Sequence, residues 1–266
     1  MFAGAASATS ISVALVSTIG NTTYEQDVIT NIQTIAPFLN FTPYDASSST
    51  AQLPTVATLE GFQALMVVVG NNSIHAPDAW GNLIDTYLRD GHGVVMMANS
   101  NTFTNCTSQV VFQLCGNYQT NDDWALNTGS QITGTHLTLG TYTVGNPVFA
   151  GVTTFDGGSL STHVNGGVNG AATRIASWSD GSPFAATRLF PKGNLEIALN
   201  FFPVSDAAPG AGGLYWLHST QGGLIMANAL TEVANVGAGS SDTPEVANLF
   251  GAGGGLLLFS LLLRRR

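Results

Sequence analysis

The sequence predicts an α/β domain: a mostly parallel sheet flanked by helices, carrying a β-rich insertion and followed by a hydrophobic C-terminal helix. Three observations carry this reading. Residues 11–18 (ISVALVST), 64–70 (ALMVVVG) and 94–100 (VVMMANS) are short, continuous apolar runs rich in β-branched side chains, the pattern of strands buried on both faces. The segments between them repeat their apolar residues at helical spacing. Strand, helix, strand, helix, strand in that order implies parallel pairing with both faces of the sheet covered.

Each element has its own punctuation. Thr22 with Glu25 three residues on forms a capping box. Val28, Ile29, Ile32, Ile35, Ala36 and Leu39 then recur as one helical stripe, until Pro43 and the Ser/Thr-rich stretch that follows break the pattern. In APDAWGNLIDTYLRDGHG, Pro77 stands near a helix start and Gly91 at its end. Residues 102–182 change texture. Gly, Thr, Asn and Ser dominate, with short alternating runs such as QITGTHLTLGTYTV, and this stretch reads as the β-rich insertion. Residues 194–206 return to the main sheet, and residues 220–236 form a final helix with Leu224, Ala227, Leu230 and Val233 on one face.

The chain has 266 residues, 44% of them apolar and only 9% charged, with a net charge of −9. Lys192 is the sole lysine, and three of the six arginines are Arg264, Arg265 and Arg266. Residues 9–236 hold 14 acids against 4 bases, about −10. Nucleic acid is thereby disfavoured as a partner, since it selects basic patches. The neutral polar surface of Ser, Thr, Asn and Gly suits an exported protein. Cys106 and Cys115 lie at a spacing that closes a small loop as a disulfide in an oxidising compartment; two buried thiols are the alternative. The five histidines are scattered, and no metal-ligand spacing is present. Asp156 and Asp180 sit in turn-rich loops but lack the spacing of a calcium loop. The reading assigns no metal and no cofactor.

Both ends speak of compartment. Ala6-Ser7-Ala8 fits the small-residue cleavage site of a secretory signal, so residues 1–8 are read as its remnant. Residues 237–243 are a flexible linker. Residues 246–263 are 18 uncharged residues, at the lower limit for a spanning helix, and Gly251, Gly253, Gly254 and Gly255 weaken them as a helix. With Pro244-Glu245 before this stretch and Arg264, Arg265 and Arg266 after it, residues 244–266 resemble the PEP-CTERM sorting signal of Gram-negative bacteria. The second proline of that motif is absent, with Val246 in its place. The resemblance implies an exosortase-type processing enzyme as partner and a transient membrane anchor through the C-terminal helix. It also implies a destination at the cell envelope, surface or extracellular matrix. The rival readings are a plain C-terminal anchor and a GPI signal, although a GPI tail does not normally end in a run of arginines.

The body resembles the class I glutamine amidotransferase-like, flavodoxin-like fold across most of residues 11–236. The resemblance is clearest at Phe201-Phe202-Pro203-Val204 followed by GGLIMANAL. It puts Phe202 where the catalytic histidine of that family stands and Val204 where its acidic partner stands. The nucleophile turn would fall at Ala98-Asn99-Ser100-Asn101-Thr102, which holds neither cysteine nor glycine. The resemblance therefore implies a domain without its catalytic triad. The remaining nucleophile candidate is Ser100, with His218 or His75 as its base.

In an open α/β sheet, ligands bind beyond the carboxyl ends of the strands. Those ends offer Thr18, Asn71, Asn72, Asn99, Ser100, Asn101, Ser205 and Asp206. Trp80, Trp124, Trp178 and Trp216 are candidate stacking faces or, alternatively, core. Amides beside aromatic rings suit a glycan or peptide ligand. The functional expectation is an exported, envelope-sorted, non-catalytic binding or structural protein. The alternatives are a secreted serine hydrolase using Ser100 and a cell-surface adhesion or matrix protein.

Overall fold

The computed structural model describes residues 9–19, 22–70, 72–102, 105–107 and 111–237. The signal remnant, Asn71, the linker beyond residue 237 and the sorting tail with Pro244, Glu245 and the terminal arginines lie outside the described residues. So does the hydrophobic C-terminal helix. Among the described residues, no helix is long and apolar enough to cross a membrane.

Strand β1 (Ile11–Ser17) leads to helix α1 (Thr22–Ile35), then to β2 (Leu39–Asp45), the short α2 (Val56–Glu60) and β3 (Ala64–Val68). Helix α3 (Pro77–Arg89), β4 (Gly93–Met97) and the one-turn α4 (Gly116–Thr120) follow. Next come β5 (Gln131–Ile132), β6 (Leu139–Tyr142), β7 (His163–Val164), β8 (Ala172–Trp178), β9 (Pro183–Leu189), β10 (Leu195–Leu199) and α5 (Gly222–Gly237). Eight strands form one mixed sheet in the order β2-β1-β3-β4-β10-β9-β8-β6, and β5 pairs with β7 apart from it. The run from β2 to β10 is parallel, while β9, β8 and β6 add antiparallel pairs.

Alternating side chains feed two cores. Val13, Leu15, Met66 and Ile197 join α1 and α5 on one face; Ala14, Val16, Leu65 and Val94 join α2, α3 and α4 on the other. The α/β architecture expected from the order of apolar runs is therefore present as a mixed sheet with flanking helices.

One expectation is corrected and two are extended. The helical stripe does not reach Leu39: that residue opens β2, an edge strand that tolerates Pro43 because one side of its backbone has no strand to pair with. Within the β-rich stretch 102–182, β6 and β8 extend the main sheet. Helix α5 buries more than one stripe, since Ile225, Met226 and Ala229 are as covered as Leu230 and Val233. A sheet below and α1 beside it enclose that helix. Gly93 permits the approach: a Cβ there would lie 2.5 Å from the Val233 Cβ. Pro77 opens α3 and Gly91, at φ +103°, ends it, as the punctuation predicts.

Cys106 and Cys115 form a disulfide with Cα atoms 5.9 Å apart. It closes the loop that leaves β4, the same loop that carries Asn99, Ser100 and Asn101.

Candidate functional site

The residues forecast for the crevice divide sharply. Thr18 is buried, and its hydroxyl accepts the Gly70 N–H at 3.0 Å, stitching β1 to β3. Asn101 donates to the carbonyls of Leu126 and Asn127 at 3.3 and 3.1 Å. Ser205 bonds through its amide and hydroxyl to the Asp27 carboxylate at 2.8 and 2.9 Å, tying the end of β10 to α1. Asp206 accepts the His218 N–H at 2.6 Å, and Asn72 is exposed.

Ser100 is fully buried. Its hydroxyl donates to the Val67 carbonyl at 3.2 Å and accepts the Val69 N–H at 3.3 Å. Both partners belong to the β3 segment, so this hydroxyl locks β3 to the turn after β4. His218 is exposed beside Trp216, and among the described residues no hydrogen bond joins it to Ser100.

Asn99 behaves differently. It follows β4 with φ +71°, a left-handed conformation that asparagine tolerates better than most side chains. This is the sharp strand-end turn on which such folds expose a side chain to the crevice. Asn99 lines a cavity of about 480 Å³ together with Gln131, Ile132, Thr133, Leu160, Thr162, Phe202 and Tyr215. The volume lies within the range of about 300–1,000 Å³ typical of small-molecule sites. Asn99 is only 7% exposed, and its Oδ1, itself shut off from solvent, has no hydrogen-bond partner among the described residues.

Each wall is held by specific contacts. Phe202, just past β10, and Tyr215 pack with ring centroids 4.7 Å apart. Tyr24 of α1 meets Tyr215 edge-on at 6.1 Å. Burial pushes the Tyr215 phenol above its ordinary pKa, so it stays a neutral donor and acceptor. Gly158, at φ +76°, lies against the Tyr215 backbone: a Cβ there would fall 1.8 Å from the Tyr215 carbonyl oxygen. Opposite, Gly134 N–H donates to Leu160 O at 2.8 Å and Leu160 N–H to Leu214 O at 3.0 Å. The pairing of Ile132 with His163 brings β5 alongside Thr162. Segments distant in sequence therefore converge on one space at the ends of β4 and β10.

All four tryptophans are buried, each 4% exposed or less. They serve the core and are not stacking faces. Asp156 takes His136 Nδ1 at 3.0 Å, and Asp180 accepts the Ser182 N–H and hydroxyl at 2.9 and 2.6 Å within a turn. Among the described residues no group of three or more His, Cys, Asp and Glu side chains is arranged to hold a metal.

A second polar cluster lies on the α3/α4 face. Arg89 bonds Asp85 at 3.1 Å and Asp123 at 2.7 Å, with Arg188 Nη2 3.9 Å from Asp123. Burial and the neighbouring Asp85 push the Asp123 carboxyl up to about 7. Glu196 on β10 is fully buried, and burial pushes it up to about 8. Among the described residues neither of its oxygens closes a hydrogen bond of good geometry, although the Ala125 N–H and the Tyr118 hydroxyl lie near enough to draw its pKa back down in part. None of these groups lines the cavity.

No family model and no curated protein matches the chain by sequence. Solved structures do match in shape. A ThuA-like protein from Bacteroides uniformis has a TM-score of 0.58 at 12% identity, covering 86% of this chain and 94% of its own. A ThuA-like protein from Parabacteroides merdae has a TM-score of 0.53 at 9% identity over 89% and 94%. A glutamine amidotransferase from Thermotoga maritima also reaches 0.53, at 10% identity over 84% and 98%. At these identities the likeness is one of fold, and it spans nearly the whole of each neighbour.

Proposed function

We propose that this chain is a non-catalytic binding module with an amidotransferase-like fold, borne by a protein exported and sorted to the cell envelope. The single observation that carries the non-catalytic reading is the pair of side chains facing the cavity. An amide, Asn99, stands on the left-handed turn after β4, and a phenyl ring, Phe202, stands past β10 where the family frame has its histidine. Neither group attacks a carbonyl or relays a proton. Ser100, the hydroxyl next to that turn, is committed to the backbone of β3. The neutral lining suits a glycan or peptide ligand. Export is supported by the disulfide, by the near-absence of lysine and by the PEP-CTERM-like tail with its implied exosortase-type partner.

A fluorophosphonate probe tests the non-catalytic reading. The purified chain and its Ser100→Ala variant are both expected to remain unlabelled. Labelling of the wild type that the variant loses overturns the reading in favour of a serine hydrolase. Sorting is tested by expression in a host with and without an exosortase gene, following the mass of the mature protein. An unchanged C-terminus in both hosts refutes the sorting signal.

A further inference from the structure

We propose that the pole of the body at which the parallel strands begin is its lipid-facing surface, so that the anchored chain seats this pole on an anionic bilayer and holds the cavity away from it. The inference rests on the membrane anchor implied by the PEP-CTERM-like tail, and adds the face and the orientation that such an anchor imposes.

The first observation is where the last helix ends. β1, β3, β4 and β10 run parallel. β4 opens at Gly93, and its far end leads to Asn99 on the cavity wall. Val233, one turn before the end of α5, lies against Gly93, where a Cβ would fall 2.5 Å from the Val233 Cβ. The chain therefore leaves α5 beside the strand starts. At about 3.3 Å per residue, Asn99 stands roughly 20 Å further along β4.

The second observation is the length of the connection. Between Gly237, the end of α5, and the uncharged stretch 246–263 the chain reaches at most about 30 Å even when fully extended. A compact body of this size is about 45 Å across. Turning the cavity towards the bilayer would lift the end of α5 by nearly that diameter, which is farther than the connection reaches.

The third observation is surface chemistry. Around the strand starts, Arg89 pairs with Asp85 and Asp123, and Lys192, the sole lysine, pairs with Asp90; Glu60 and Glu232 are further acids there. The cavity side carries Glu25, Asp27, Asp45, Asp78 and Asp206, and residues 18–27, 45–55, 69–79, 98–115 and 200–221 contain no lysine or arginine at all. An anionic lipid surface thus repels the cavity side more strongly than the opposite pole. That pole also presents apolar side chains to solvent. Leu189, at the end of β9 and paired with the first residue of β10, is 68% exposed, and Ile35, at the end of α1, is 46% exposed. Exposed apolar side chains beside a long lysine stem suit the headgroup boundary.

The test uses the full chain in vesicles of phosphatidylethanolamine and phosphatidylglycerol that contain a lipid with a nitroxide headgroup. Leu189→Cys and Lys192→Cys place a bimane fluorophore at the strand starts; Ser49→Cys and Asn72→Cys place it on the cavity side. All four positions are at the surface or near it, and the native cysteines are held in their disulfide. The Leu189 and Lys192 labels are expected to lose emission to the nitroxide, while the Ser49 and Asn72 labels keep theirs. Equal quenching at all four positions, or stronger quenching at Ser49 and Asn72, overturns the orientation and leaves the anchor standing. Leu189 and Lys192 labels that escape the nitroxide but cross-link between copies assign this face to a second copy of the chain, and also overturn it. Failure of the chain to float with the vesicles sinks the anchor reading, and the orientation with it.

Discussion

Glu196 gives the sharpest test of the energetics of this fold. Its carboxyl sits inside the α3/α4 face, and burial raises it from the ordinary 4.5 to about 8. In the folded chain it therefore keeps its proton across a window in which the unfolded chain has released one. Because the native state binds more protons there, stability must fall as pH rises from about 4.5 to about 8. At about 1.4 kcal/mol per pH unit, the interval amounts to roughly 5 kcal/mol in all and about 3 kcal/mol by neutral pH. That is a large fraction of the 5–15 kcal/mol typical of a whole domain.

Glu196→Gln isolates this contribution, since the amide matches the protonated acid in size and carries no titrating proton. Urea unfolding followed by circular dichroism at half-unit steps from pH 5 to pH 9 measures both proteins. Near pH 5 the two are expected to differ by a small constant. The variant should then gain on wild type with rising pH, reaching roughly 5 kcal/mol by pH 9. Asp123, pushed up to about 7 by burial and by Asp85, adds to the slope of both proteins and largely cancels in the difference. Parallel curves would refute the reasoning: they would mean that Glu196 is ionised in the native state and compensated by the Ala125 N–H, the Tyr118 hydroxyl and Arg188, all of which tend to lower its pKa.

Two further predictions rest on geometry alone. Gly93→Ala forces a methyl to within 2.5 Å of Val233 in α5 and is expected to cost about 1–3 kcal/mol by overpacking. Gly167→Ala, with nothing within 4 Å, should be near neutral in the same thermal melt; equal shifts for the two would disprove the close approach. Reducing the Cys106–Cys115 disulfide frees a short loop and is expected to cost about 2–3 kcal/mol by chain entropy. A Cys106→Ser/Cys115→Ser double variant should match the reduced protein, and unchanged melting in both would show that the bridge contributes nothing.

The parts of this molecule that were legible in sequence are those written in local pattern. β1, β3 and β4 stand out because both of their faces are buried, which leaves unbroken apolar runs. α3 is bracketed by Pro77 and Gly91, whose backbone roles are local. β2 was hidden because an exposed edge strand containing Pro43 has neither an apolar run nor clean alternation. The tryptophans were ambiguous because composition does not say which rings the core will take; here it took all four. The cavity was the least legible part. Thr162 and Tyr215 join Asn99 through non-local approaches, such as Gly158 against the Tyr215 carbonyl, and no periodicity reports those.

The turn after β4 shows how finely such a site depends on the backbone. Asn99 and Ser100 are neighbours, and by residue type the serine is the more suggestive of the two. The sign of one dihedral angle separates their fates. With φ positive at Asn99, that residue meets the cavity, while the next hydroxyl turns inward to Val67 and Val69. Asparagine is among the few non-glycine residues that hold this conformation at low cost, so the turn persists without a reactive side chain on it. A crevice at the carboxyl ends of parallel strands follows from topology, not from the chemistry once placed there. The pocket therefore does not depend on a nucleophile: here an amide, Asn99, lines it together with Phe202.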